Sequence, residues 1–457
     1  MNRRSTSLSW AIAAASSIVA VACAFGPERT PFDSEDASVP ELSVDAGVAP
    51  KCVNLQCNRT SCGDGQHTTI SGTVYDPAGA SPLYNAIVYV PNAPLSPFSP
   101  GVSCDHCGSL ASGEPITVTL TDERGGFVLE DVPVVDDLPV VIQMGRWRRQ
   151  IRIEHVVACA DNPVPATLTH LPRNRHEGDI PLYALVTGGF DPLECLMRKI
   201  GIDDEEFTGS TGEGRVHLYT GWGGGRVPGS RPSEALYPDL KRYDAVVLSC
   251  EGDTHPENKP IDATYDMLRY LDQGGRVYAS HFQYYWFAPF PDGAGLDPLP
   301  SVAVWDQRAG MNDTIEGVVD VNFPKGKAYY DWLTYAGAIG QDGLLTVLEA
   351  RRDIDYSVHP ISQSWVHTDI HLGDPAAVQL LTFNTPIHAD PAAQCGRVVF
   401  SDMHVASEDT TGQTFPNGCV SKGLSAQEKA LEFMIFDLSS CIQQDSVPPI
   451  PPSVPLK

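Results

Sequence analysis

Near residue 175 the hydrophobic pattern of this chain changes period, and that change limits the possible folds more than any single motif does. Over residues 51–175, β-branched and apolar residues come in short runs, at 68–75, 86–90, 116–121, 126–129, 140–144 and 148–153, with turn residues between them. Short alternating runs punctuated by Asp76-Pro77-Ala78-Gly79 and by Asp122 to Gly126 predict a β-sandwich. Over 179–442 the runs alternate instead with helical spacing. Strand-like stretches at 181–187, 216–219, 245–249, 276–279, 377–383 and 396–401 are interleaved with helical patterns near 193–200, 261–271, 327–338 and 425–436. Such alternation predicts a mostly parallel sheet covered on both faces. The fold class expected is multidomain, β followed by α/β.

The N-terminus sets the compartment. Asn2, Arg3 and Arg4 precede an apolar run over 8–22, and the small residues Ala20, Val21 and Ala22 lead into Cys23. Residues 1–23 therefore read as an export signal. The apolar run is shorter than the roughly 20 residues needed to cross a bilayer, so a permanent spanning helix is the weaker reading. The residues before Cys23 resemble a bacterial lipoprotein box, which implies acylation of Cys23 and anchoring in the outer membrane or at the cell surface. Plain cleavage after Ala22 would leave the chain periplasmic or secreted. Residues 24–50 are polar and Pro-rich, too poor in large apolar groups to offset the entropy of ordering, and are expected to form a tether. Residues 443–457 are expected to form a Pro-rich, extended tail.

Asp and Glu outnumber Lys and Arg by 57 to 31, a net charge of -26. A phosphate backbone would be repelled, which argues against nucleic acid as a partner. The twelve cysteines of an exported chain are expected to pair as disulfides. With Cys23 acylated eleven remain, so at least one thiol stays free, and Cys250, at the end of an apolar strand-like run, is the candidate. Cys104 and Cys107 form a CxxC with Cys52, Cys57 and Cys62 upstream, so a structural zinc site is the alternative there. The absence of a second CxxC at finger spacing favours disulfides, with their connectivity open.

Ile70 to Tyr75, Asn85 to Val90, and Thr121-Asp122 to Gly126-Phe127 followed by Val132-Pro133 resemble the carboxypeptidase regulatory-like, or transthyretin-like, sandwich. The resemblance covers about 90 residues. It implies an Ig/transthyretin-like module without catalysis of its own. The Pro-rich excursion over 91–112 departs from that pattern. Tyr243 to Ser249, Leu271 to His281 and Cys395 to His404 resemble the class I glutamine amidotransferase-like fold, in particular its ThuA-like branch. This implies a flavodoxin-like, mostly parallel sheet. In true amidotransferases a cysteine occupies the turn after the Gly-Gly strand; here His281 stands there, so glutamine hydrolysis is not expected.

Ligands of open parallel sheets bind beyond the carboxyl ends of the strands. Three strand ends are polar here: Cys250, Glu251, Asp253 and His255; Ser280 and His281; and Ser401, Asp402 and His404. A hydrolase would use Ser280 as nucleophile, His404 as base and Asp402 or Glu251 to hold the imidazole. The G-x-S-x-G elbow that usually presents such a serine is absent. A divalent metal such as zinc could instead take His281, His404 and a carboxylate. His367, Asp369 and His371 would share one face of an extended stretch and form a second metal candidate, with a solvated edge strand as the plainer reading. Tyr284, Tyr285, Trp286 and Phe287 could stack on sugars but suit packing better. Gly221 and Gly223 to Gly225, before Arg226, could cradle an anion, although a flexible loop is favoured over that reading. These residues together favour an exported envelope protein of binding or structural type with a carbohydrate or other small molecule as ligand. The alternative is an extracytoplasmic hydrolase built on the same strand ends.

Overall fold

The computed structural model describes residues 52–289, 299, 302–306, 314–369, 376–405 and 407–454. From Cys52 onward the chain packs as one unit. Its first part carries β1 (Thr69–Thr73), β2 (Ile87–Pro91), β3 (Pro115–Leu120), β4 (Gly126–Leu129), β5 (Asp136–Met144), β6 (Trp147–His155) and β7 (Asp161–Pro163). They form two sheets, ordered β4-β1-β7 and β3-β2-β5-β6. Ile70, Phe127, Leu129, Val88, Val140 and Ile142 fill the layer between them.

The second part begins with β8 (Tyr183–Thr187), α1 (Leu193–Lys199), β9 (Phe207–Thr208), β10 (Val216–Thr220), β11 (Arg231–Pro232), β12 (Ala245–Leu248), α2 (Ile261–Asp272) and β13 (Arg276–Ser280). It continues with β14 (Ala303–Trp305), β15 (Ile315–Val319), α3 (Pro324–Tyr335), β16 (Leu345–Val347), β17 (Ile354–Ser357), β18 (Ser362–Thr368), β19 (Val378–Thr385), β20 (Gly396–Ser401) and α4 (Ala426–Ser439). The main sheet runs β11-β10-β8-β12-β13-β20-β19-β18-β15-β16, with β9 beside β10. Its pairings are parallel as far as β20, and antiparallel from β20 through β19, β18 and β15 to β16. The expected mostly parallel sheet is therefore only its first half.

Alternation along each parallel strand explains the layering. Tyr183, Leu185, Leu218, Val247, Tyr278 and Val399 face one side, where α1, α3 and α4 pack together with the sandwich. Ala184, Val186, Val246, Val277, Ala279 and Phe400 face the other side, against α2 and the turn at Tyr237–Arg242. Helix α4 starts in a reciprocal cap between Ser425 and Glu428. It is the hinge-pin of the molecule: Phe433 stacks on Tyr84 of the sandwich at 6.0 Å, Phe436 meets Trp147, and Ser81 donates to Glu432. One core thus runs through both parts.

Among the described residues, five disulfides join Cys52 to Cys57, Cys62 to Cys159, Cys104 to Cys395, Cys107 to Cys441 and Cys195 to Cys419. The CxxC is thereby committed to two bridges that staple the 91–112 excursion to the α/β part, and the zinc alternative for it falls away. Cys250 is the free, buried thiol among the described residues. The start of the expected tail is drawn inward, since Asp445 is buried against Arg397. Cys23 and the tether lie outside the described residues.

Candidate functional site

The chain leaves β8 toward β10 on one side and leaves β12 toward β13 on the other, so the crevice between β8 and β12 is the topological switch point of the sheet. Gly188, just past β8, lies so close to the Cys250 carbonyl that a Cβ would sit 2.1 Å from its oxygen. The Phe190 amide donates to the same carbonyl at 3.2 Å. This close approach brings the loops after β8, β10 and β12 together, since Gly189 also donates to the Trp222 carbonyl at 2.8 Å.

Next to that crevice, three neighbouring strands deliver a buried cluster: Cys250 from β12, His281 from β13 and His404 beyond β20. One ligand-type atom from each lies within 4.8 Å of the others. His281 sits at φ +45°, a conformation costly for a side-chain-bearing residue, in the turn that follows β13. Its Nδ1 is 3.4 Å from Cys250 Sγ, and its Nε2 is 3.7 Å from Asp353 Oδ2. The His281 and His404 rings are 5.2 Å apart at 65°. Neither Nε2 has a hydrogen-bond partner.

Burial governs the electrostatics here. It pushes the Cys250 thiol up to about 12 and His281 down to about 2, the latter helped by His404 and Arg351. His404 falls to about 3 for the same reason, with Arg351 adding to it. Thiol and imidazoles are therefore neutral, and Cys250 is no thiolate nucleophile. Burial also raises Asp402 to about 6 and Asp353 well above the ordinary carboxyl range. The neighbouring Asp402 carboxyl adds to the rise of Asp353. Asp353, just before β17, carries no sequence motif that could have announced it.

The remaining candidates are placed otherwise. Ser280 Oγ donates to Asp191 Oδ2 at 2.5 Å and makes no hydrogen bond to His404 Nε2. The expected serine–histidine relay is not assembled, because Asp191, itself lifted by burial to about 7, takes the hydroxyl proton. Asp402 Oδ2 accepts the Asp353 amide at 2.9 Å. Glu251 is consumed by Lys259 at 2.6 Å, Gln283 at 3.0 Å and the Trp222 amide at 2.8 Å. The glycine-rich turn thus does cradle an anion, but one belonging to the protein. Ser401 donates to the Met403 carbonyl at 2.8 Å. Asp253 caps the Thr254 amide at 2.7 Å. His367 does not join the cluster: β18 lies three strands from β13, roughly 14 Å at about 4.8 Å per strand. His371 lies outside the described residues. Tyr284, Trp286 and Phe287 are buried, as packing requires.

Two exposed aromatics were not anticipated. Phe190 is 60% and Trp222 59% exposed, on adjoining loops at the switch point. Trp222 is stacked on His255 at 4.9 Å and 27°. The only sequence cue was their position after predicted strands.

No family model and no curated protein matches this sequence. Among solved structures, a putative ThuA-like protein from Bacteroides uniformis aligns at 8% identity over 56% of this chain and 89% of its own, with a TM-score of 0.31. The exo-beta-1,4-mannosidase Op5Man5 from an Opitutaceae bacterium aligns at 12% identity over 50% of this chain and 33% of its own, TM-score 0.22. A cohesin–X-dockerin complex from Acetivibrio cellulolyticus aligns at 16% identity over 32% of this chain and 78% of its own, TM-score 0.16. The fold and site define a β plus α/β protein with a closed polar cluster and two exposed aromatics beyond the carboxyl ends of its parallel strands.

Proposed function

We propose that this chain is an exported, lipid-anchored binding protein of the cell envelope that holds a carbohydrate against Phe190 and Trp222. The observation that carries the reading is the exposure of two large aromatic residues, Phe190 and Trp222, on adjoining loops at the switch point. Flat aromatic rings stack on the C–H faces of sugars, while polar neighbours such as Asp253 and Glu257 can take the hydroxyls. In this proposal the first part is a carboxypeptidase regulatory-like sandwich and the second an amidotransferase-like, ThuA-like sheet. Both attributions are supported by the sequence stretches that resemble those families. Export is supported by the five disulfides, which persist in oxidising compartments, and acylation by the residues before Cys23.

Calorimetric titration with neutral oligosaccharides tests the binding claim. The expected outcome is measurable affinity that Phe190→Ala with Trp222→Ala lowers roughly 10-fold or more, at about 0.5–1.5 kcal/mol per stacked ring. Equal affinity in the double variant, or none in the wild type across a glycan array, overturns it. Intact mass of the mature protein reports the acylation of Cys23.

A further inference from the structure

We propose that Cys250, His281 and His404 form a zinc site, a feature separate from the sugar-binding reading. Three consecutive parallel strands supply the three ligands, each from its carboxyl end. A tetrahedral zinc with Zn–S of about 2.3 Å and Zn–N of about 2.0–2.1 Å holds neighbouring sulfur and nitrogen atoms about 3.5 Å apart. The observed separation of Cys250 Sγ from His281 Nδ1 is 3.4 Å. With Nδ1 on the metal, the other ring nitrogen of a ligating histidine normally points at a carboxylate that fixes its orientation. Here His281 Nε2 faces Asp353 Oδ2 at 3.7 Å.

A second observation is independent of the first. His404 is 3% exposed, its ring tilts toward that of His281, and its Nε2 has no hydrogen-bond partner. A buried polar atom left alone costs about 1–3 kcal/mol, and a cation between the two rings and the sulfur removes that cost. One sulfur and two imidazoles form a borderline-soft set, suited to zinc and unsuited to magnesium or calcium. On binding, the Cys250 sulfur gives its proton to solvent and its electron pair to the metal. Asp353 is a positioning residue in this arrangement.

The test uses the full mature chain, dialysed against zinc, then against metal-free buffer, with bound metal quantified and affinity measured by chelator competition. About one zinc per chain is expected. Cys250→Ser and His404→Gln should each weaken binding more than 100-fold, and Asp353→Asn by about 10–100-fold. His367→Gln should leave affinity unchanged. Cobalt in place of zinc should give a thiolate charge-transfer band that survives in Asp353→Asn and disappears in Cys250→Ser. No retained zinc and no such band in the wild type, or unaltered affinity in both ligand variants, overturns the site. Should Cys250→Ser fail to fold, the wild-type cobalt spectrum and His404→Gln decide the matter. Loss of this site would leave sugar binding at Phe190 and Trp222 standing, and the reverse also holds.

Discussion

Strand β20 has a buried polar cluster at each end, and the two differ in how completely they are paired. At the amino end Arg397 binds Asp437 at 2.6 Å and Asp445 at 2.8 Å, while Lys325 reaches Asp437 at 2.9 Å and Asp445 at 3.3 Å. Burial opposes ionisation of Asp437, yet Arg397 and Lys325 hold it down at about 2. At the carboxyl end the two imidazole Nε2 atoms have no hydrogen-bond partner, and His281 is bent into a costly backbone conformation. A charge-paired network, in which only the Arg397 Nε stands alone, orders the junction of sheet, α4 and tail; the cluster beside the switch point holds no such ion pairs and is shaped for something else.

The contrast can be broken most forcefully at Arg397. Arg397→Leu leaves Asp437 and Asp445 sharing Lys325 as their one cation among the described residues, and the expected loss is about 3–5 kcal/mol by denaturant unfolding. A loss below about 1 kcal/mol would place the amino-end network with ordinary surface pairs. The carboxyl-end cluster should respond in the opposite sense. Without metal, His404→Leu should leave stability unchanged or raise it by up to about 3 kcal/mol, because it removes an unsatisfied buried nitrogen. With zinc at about 1,000 times its dissociation constant the wild type should gain about 4 kcal/mol and the variant nothing, read from paired thermal melts.

A third buried acidic pair, Asp76 with Glu432, sharpens the comparison through pH. Burial raises Asp76 to about 6 and Glu432 well above the ordinary carboxyl range. The folded state therefore keeps protons that the unfolded chain releases near pH 4, roughly. This contribution to stability is full below that pH and is lost as pH rises through about 6 and beyond. Glu432→Gln should flatten the decline by on the order of 2 kcal/mol between about pH 5 and 8, measured as Tm against pH. A parallel pair of curves would show that Glu432 does not carry the pH dependence. Smallest of all, Trp222→Ala should leave stability within about 0.5 kcal/mol, since its ring faces water, while sugar affinity falls.

Local pattern made much of this molecule legible. The expected runs at 86–90, 216–219, 245–249 and 396–401 coincide with β2, β10, β12 and β20 because apolar strand runs between Gly, Pro and Asp turns have few other solutions. The antiparallel wing of β15, β16 and β18 was not legible: β16 is three residues long, β15 carries Gly317, and β18 is mostly polar, so none shows a clear apolar run. Cysteine pairing was closed to sequence reading for a different reason. Cys104 and Cys395 are 291 residues apart, and Cys107 and Cys441 are 334 apart, so only the packed fold brings them together. At the site, strand-end logic located His281, His404 and Cys250. It misplaced Ser280, whose partner Asp191 comes from another loop, and it could not see Asp353, 72 positions beyond His281.

Anomalous X-ray diffraction at the zinc absorption edge, on crystals of the mature chain grown with zinc, addresses the central contrast most directly. The account requires a single strong peak between Cys250 Sγ, His281 Nδ1 and His404, with the Arg397 network free of metal. A well-ordered cluster with no peak there, or a peak elsewhere on the molecule alone, would contradict it.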